Sequence, residues 1–158
     1  MRLSGILIII VWLNSSALAQ SLFTGATPYA YCYGKNLVCN EFGCSEISVK
    51  APHNSDVMVT IKKGDRVKKH AYIRAGGTYS FSFPNGTYQP FFYYGNNWDP
   101  NKLMKSSPCG GIKGGFTTGE HFGKDSPQRL YNQALSYELI LQPNGNFSTR
   151  PSSAVEAF

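Results

Sequence analysis

Apolar and polar side chains alternate with a period of two in a series of short stretches along the chain. SEISVK (45–50) sets Ile47 and Val49 on one side, and DVMVTIK (56–62) sets Val57, Val59 and Ile61 against Met58, Thr60 and Lys62. HAYIRA (70–75) opposes Ala71 and Ile73 to His70, Tyr72 and Arg74. TYSFSFP (78–84) separates Tyr79, Phe81 and Phe83 from Ser80 and Ser82, and YELILQ (137–142) repeats the pattern with Tyr137, Leu139 and Leu141. Successive side chains of a strand point to opposite faces, so each stretch reads as a strand with one buried face.

The residues between these stretches are turn formers. Lys63-Gly64-Asp65 and Ala75-Gly76-Gly77 are expected to turn hairpins, and Pro-Asn-Gly occurs at 84–86 and again at 143–145, each time between strand-like runs. Asn-Gly readily adopts the positive φ values of tight hairpins. No segment carries a sustained helical period, and PQRLYNQAL (127–135) is expected to hold one or two helical turns at most. Many short strands with regularly spaced turn signals imply one all-β domain, an antiparallel sandwich or small barrel.

Two segments depart from simple alternation. YQPFFYYGNNW (88–98) has rings on both sides: Tyr88, Pro90, Phe92 and Tyr94 share one face, and Gln89, Phe91 and Tyr93 the other. A second layer of chain must cover one of those faces, or else rings stand in solvent, where Tyr93, Tyr94 and Trp98 are the candidates for stacking on a ligand such as a sugar. The span 96–133 is rich in Gly, Asn, Ser, Lys and Pro, with only GGFTT (114–118) hinting at a short strand. It reads as a long surface loop, and loops of that length are usually functional or tied down.

The N-terminus changes where this fold is expected to work. Arg2, the apolar run ILIIIVWL (6–13) and Ala17-Leu18-Ala19 form a secretory leader, with an apolar run shorter than the roughly 20 residues that span a bilayer. Residues 1–19 are thus a cleaved signal peptide and 20–158 a single domain, secreted or periplasmic, with no integral membrane span once the leader is removed. The whole chain carries a formal net charge of +6, and loss of Arg2 lowers it by one. That modest positive charge favours solubility and adhesion to anionic surfaces, and no nucleic-acid motif is present. In an oxidising compartment Cys32, Cys39, Cys44 and Cys109 read as two disulfides with three possible pairings, in each of which Cys109 bonds to an N-terminal cysteine and ties down the 96–133 segment. Their spacing does not match the usual zinc-ligand patterns.

GTYSFSFPNGTYQPFFYYG (77–95) resembles the strand–turn–strand core of carboxypeptidase regulatory-like, or transthyretin-like, modules, through Gly77, Tyr79, Phe81, Pro84, Gly86 and Tyr88. The resemblance covers about twenty residues and implies a β-sandwich of Ig-like or transthyretin-like type, here with a disulfide-tied loop, and a non-catalytic role in a secreted protein.

Catalytic constellations are not recognised. His53, His70 and His121 lie far apart, no G-x-S-x-G elbow occurs, and the carboxylates form no local glycosidase pair. Glu120-His121, followed by Asp125, is the nearest to a hydrolytic set. CGGIKGGFTTG (109–119) lacks the G-K-[ST] ending of a phosphate loop. Lys62, Lys63, Arg66, Lys68 and Lys69 bracket one turn, either gripping an anion or guarding an exposed strand edge. Asn85-Gly86-Thr87 and Asn146-Phe147-Ser148 are formal glycosylation sequons. The expected role is structural or protein-contacting, with carbohydrate binding through Tyr93, Tyr94 and Trp98 as the alternative, a small hydrolase as the third reading, and no cofactor or metal assigned.

Overall fold

The computed structural model describes residues 22–40, 42–141 and 150–158. The leader, the second Pro-Asn-Gly and the 146–148 sequon lie outside the described residues. Among the described residues nine strands form two sheets. β1 (Cys44–Lys50), β4 (Thr78–Pro84) and β8 (Ala134–Glu138) make one, in the order β4-β1-β8. The other is β3-β2-β5-β6-β9, built from β2 (Asp56–Lys63), β3 (Arg66–Ile73), β5 (Gly86–Lys105), β6 (Ile112–Lys124) and β9 (Arg150–Pro151), with β7 (Gln128–Leu130) alongside the start of β5. Two helices of a single turn, α1 (Ala30–Tyr33) and α2 (Ala154–Ala157), complete the described elements. The chain is an all-β sandwich, antiparallel except where β1 and β8 run parallel.

The alternating positions form the inter-sheet core as expected: Ile47, Val49, Val57, Val59, Ile61, Ala71, Ile73, Phe81 and Phe83 are buried together, and Phe92 and Tyr94 of β5 join them. Connectivity differs from the expected hairpins. Gly64-Asp65 does turn a two-residue hairpin, with Lys63 opposite Arg66 and Gly64 at φ +59°. Ala75-Gly76-Gly77 and Pro84-Asn85-Gly86, however, each carry the chain from one sheet to the other. The first is bonded to the β1–β2 connection (Gly76 N to Pro52 O, 2.8 Å; Ala51 N to Gly77 O, 2.8 Å), and in the second Asn85 N donates to Gly43 O at 3.0 Å. Period-two alternation reports which face is buried, and a hairpin or a crossover meets that requirement equally.

Two further expectations are corrected. The 96–133 span is mostly strand: β5 continues to Lys105 and β6 returns from Ile112 to Lys124, leaving 106–111 as the loop that Cys109 ties to Cys32. Register shifts between Tyr94 and Asn96, Asp99 and Leu103, and Leu103 and Lys105 interrupt this ribbon. Each irregularity resets the face on which the next residue falls, so no window shows alternation. PQRLYNQAL is β7, a turn and the start of β8 rather than helix, because Leu130 is drawn into the core beside β5.

The outer face of the larger sheet is covered. Phe91, Tyr93, Met58, Tyr72, Trp98 and Phe116 pack beneath Ala26 and Tyr29 from the N-terminal segment, Ala157 of α2 and Phe158, which caps that helix. The rings on both sides of 88–94 therefore serve two cores, one on each face of a single strand.

Candidate functional site

The three rings expected to meet a ligand are interior. Tyr93 and Tyr94 are 1% exposed and Trp98 7%. Tyr93 braces the β5–β6 ribbon: its hydroxyl accepts from Phe116 N at 2.7 Å and donates to the Glu120 carboxylate, which is also paired with Lys102. Burial, together with that carboxylate, raises the Tyr93 pKa well above its ordinary value. Burial opposes ionisation of Glu120, yet the Lys102 ammonium and Tyr93 hydroxyl hold its pKa below normal. Tyr94 points into the inter-sheet core, where burial raises its pKa. Trp98 lies edge-on to Tyr72 and Phe116, and only its margin reaches a shallow cleft of about 310 Å³ beside Cys109, Tyr31 and Lys113.

Glu120, His121 and Asp125 do not converge. Glu120 meets Tyr93 in the outer cluster, whereas His121 sits on the other side of β6 with its ring 5.9 Å from that of Tyr94. The Asp125 carboxylate accepts from Tyr137 Oη at 2.7 Å and from Gln128 Nε2 at 3.0 Å. Each is held by structural partners or separated by the sheet, so the geometry forms no joint site. All four cysteines are paired, Cys32 with Cys109 and Cys39 with Cys44.

His70, passed over in the sequence as an isolated histidine, is fully buried between Tyr29 and Tyr33, with its Nε2 accepting from Tyr29 N at 3.2 Å. Burial lowers its pKa to about 4. Because the unfolded chain takes up this proton near 6.5 and the folded one only near 4, His70 leaves stability untouched above pH 6.5 and erodes it as pH falls through that window. At 1.36 kcal/mol per pH unit the full effect is about 3 kcal/mol. Chemical denaturation of wild type and His70→Gln at pH 7.5 and pH 4.5 checks this: the variant is expected to show a clearly smaller loss of stability between the two.

What reaches solvent is different in kind. Residues 34–40, with 42 and 43, form a strap across the open side of the sandwich. Asn36 clamps the β3 edge through His70 (Nδ2 to His70 O, 2.8 Å; His70 N to Oδ1, 3.2 Å), Lys69 Nζ donates to Leu37 O, and Cys39 N donates to Ser82 Oγ of β4 at 2.8 Å. The strap thus joins the edge strand of one sheet to that of the other and blocks edge-to-edge pairing. With its backbone pinned and Cys39–Cys44 closing its end, it holds Leu37 and Val38 about three-quarters exposed and Phe42 fully exposed.

The basic hairpin lies beside it. β3 is the edge strand that Arg66, Lys68 and Lys69 were expected to guard. Lys62 stands over the Phe91 ring at 5.4 Å and Lys63 over Tyr88 at 5.6 Å, bordering a groove of about 390 Å³ with Thr87, Gln89 and Pro127. Burial lowers the Lys62 pKa, and neighbouring Lys105 lowers it further.

These features define a disulfide-bonded, two-sheet β-sandwich with a sealed outer sheet face and a displayed strap. No protein-family model matches the chain, and none of the curated proteins matches it. Among the described residues no helix is long and apolar enough to cross a membrane.

Proposed function

We propose that this chain is a secreted, non-catalytic protein that works by surface contact, as a structural or interaction module. The observation that carries this reading is the strap: the Glu120 and Asp125 carboxylates are spent on internal bracing, while Leu37, Val38 and Phe42 stand exposed along a strap bonded to both sheets and ending in a disulfide. Monomeric proteins rarely leave such side chains clustered in water without a use for them. Two disulfides support a location outside the cytoplasm. Kinship with carboxypeptidase regulatory-like modules belongs to the same proposal; the residues that suggest it form β4, the crossover and the start of β5.

Expression of the full chain with its leader in a secreting host tests the reading. The exported product is expected to begin at Gln20, to show no titratable thiol and to turn over nothing in a broad panel of hydrolase substrates. Retention in the cytoplasm, or turnover that disappears in His121→Ala, overturns it. A glycan array with wild type, Trp98→Ala and Tyr31→Ala addresses the carbohydrate alternative. Wild-type binding lost in the folded Tyr31→Ala, whose ring is exposed in the Trp98 cleft, would replace the contact reading with a sugar-binding one.

A further inference from the structure

The strap's apolar tips share one end of the sandwich with the basic side chains. Gly43, next to Phe42, lies against Asn85 and Asn132, and Asn85 Nδ2 donates to Asn132 Oδ1 at 3.2 Å, which sets Tyr131 beside the same corner. The tip of the β2–β3 hairpin closes on that corner as well, with Lys63 Nζ 3.2 Å from the position a Cβ would take at Gly86. Arg129 stands opposite Thr87 one residue further on. Leu37, carried by Lys69, leads along the β3 edge toward this end. Phe42 and Tyr131 are thus exposed beside the corner that Lys63 reaches, with Arg66 opposite Lys63 across the hairpin, Arg129 two residues before Tyr131, and Lys69 further along the β3 edge.

We infer that this end docks on an anionic lipid surface. Leu37, Val38 and Phe42 are largely or fully exposed on a strap bonded to both sheets, so they suit insertion into a yielding interface rather than the filling of a preformed pocket. Aliphatic and aromatic tips partition into the headgroup–acyl boundary while the surrounding cations meet lipid phosphates, and the two contributions reinforce one another. An anionic polysaccharide would satisfy the lysines and arginines but leave Leu37, Val38 and Phe42 in water. The bonds at Asn36 and Cys39 and the Cys39–Cys44 bridge hold the strap to the sheets with its apolar side chains outward. The inference rests on the contact reading above for its location outside the cytoplasm.

The oxidised exported product, from which the leader has been removed, is sedimented with vesicles of phosphatidylcholine alone, and of phosphatidylcholine mixed with phosphatidylglycerol, at low and high salt. Binding is expected to the mixed vesicles and to weaken with salt. It should fall about tenfold in Phe42→Ser/Tyr131→Ser and by a similar factor in Lys63→Glu/Arg66→Glu. All four positions are exposed, so far-ultraviolet circular dichroism and the thermal unfolding midpoint should match wild type. Absence of binding to the mixed vesicles overturns the inference while leaving the export and turnover tests of the contact reading intact. Equal binding to phosphatidylcholine alone also overturns it, as does binding indifferent to the Phe42 and Tyr131 substitutions. Binding to a soluble polyanion at the vesicle affinity, unchanged by those substitutions, reassigns the end to polysaccharide.

Discussion

Replacing Cys32 and Cys109 together by serine is expected to lower the unfolding free energy by about 4 kcal/mol, measured by urea denaturation against the oxidised wild type. The bridge spans 77 residues of chain. Its loss returns to the unfolded ensemble the freedom of a loop containing most of the strands, and in the chain-entropy model that freedom grows with the logarithm of loop length. Against a typical total stability of about 5–15 kcal/mol, the double variant is expected to be marginal. Cys39 and Cys44 are separated by only 5 residues, so removing their bridge should cost about 2 kcal/mol. The comparison is discriminating: similar midpoints for the two double variants would show that the long bridge does not act through loop closure.

Phe158→Ala should be nearly as damaging, at about 3–5 kcal/mol, the usual range for truncating a buried aromatic. Its ring packs 5.0 Å from Tyr29, 6.1 Å from Tyr93 and 6.4 Å from Phe122, closing the outer face of the larger sheet. A helix of one turn has no stability of its own. α2 persists because the carbonyls its geometry leaves unpaired are met from the body of the protein. Lys105 Nζ donates to Val155 O at 3.1 Å, Lys62 Nζ to Glu156 O at 2.8 Å, Thr60 Oγ1 to Ala157 O at 2.9 Å and Tyr33 Oη to Phe158 O at 3.0 Å. The Lys124–Glu156 pair, at 2.6 Å, is half in solvent and adds little. Val155→Ala, at an exposed position of the same helix, should change stability by no more than about 0.5 kcal/mol. An enhanced signal from a hydrophobic dye in Phe158→Ala, absent in Val155→Ala, would report the uncovered face around Tyr93.

The inter-sheet core was legible residue by residue. Val57, Val59, Ile61, Phe81 and Phe83 fall where their alternation puts them, because a period of two follows from the local geometry of an extended chain and needs no knowledge of partners. The necessity of a tie between Cys109 and the N-terminal segment was equally legible, since it follows from counting, although the choice of Cys32 does not. The β5–β6 ribbon was hidden by its own register shifts and by glycines such as Gly114, at φ +114°. There a Cβ would stand 2.6 Å from the Trp98 ring, so the glycine marks a close approach within a strand of which only GGFTT had hinted.

The candidate site was legible in part. The strap's apolar residues lie within the cysteine-rich segment, and the lysines were visible as a cluster, but nothing local brings Phe42, Tyr131 and Arg66 to one end of the molecule. The rings that drew notice in the sequence turned out to be interior, because Phe91 and Tyr93 are covered by residues more than fifty positions away in either direction, at 26–33 and 154–158.

The sequence by itself determined which side chains face inward, that the fold is all-β and that its cysteines cross-link it. These follow from period, turn chemistry and redox setting, which act within a few residues or on the chain as a whole. Tertiary structure alone decided which turns are hairpins and which are crossovers, what lies over the second face of β5, and which end of the sandwich carries both charge and exposed apolar surface. Those outcomes depend on pairings between distant segments, where competing arrangements satisfy the local pattern equally and only the packing of the whole chain selects one.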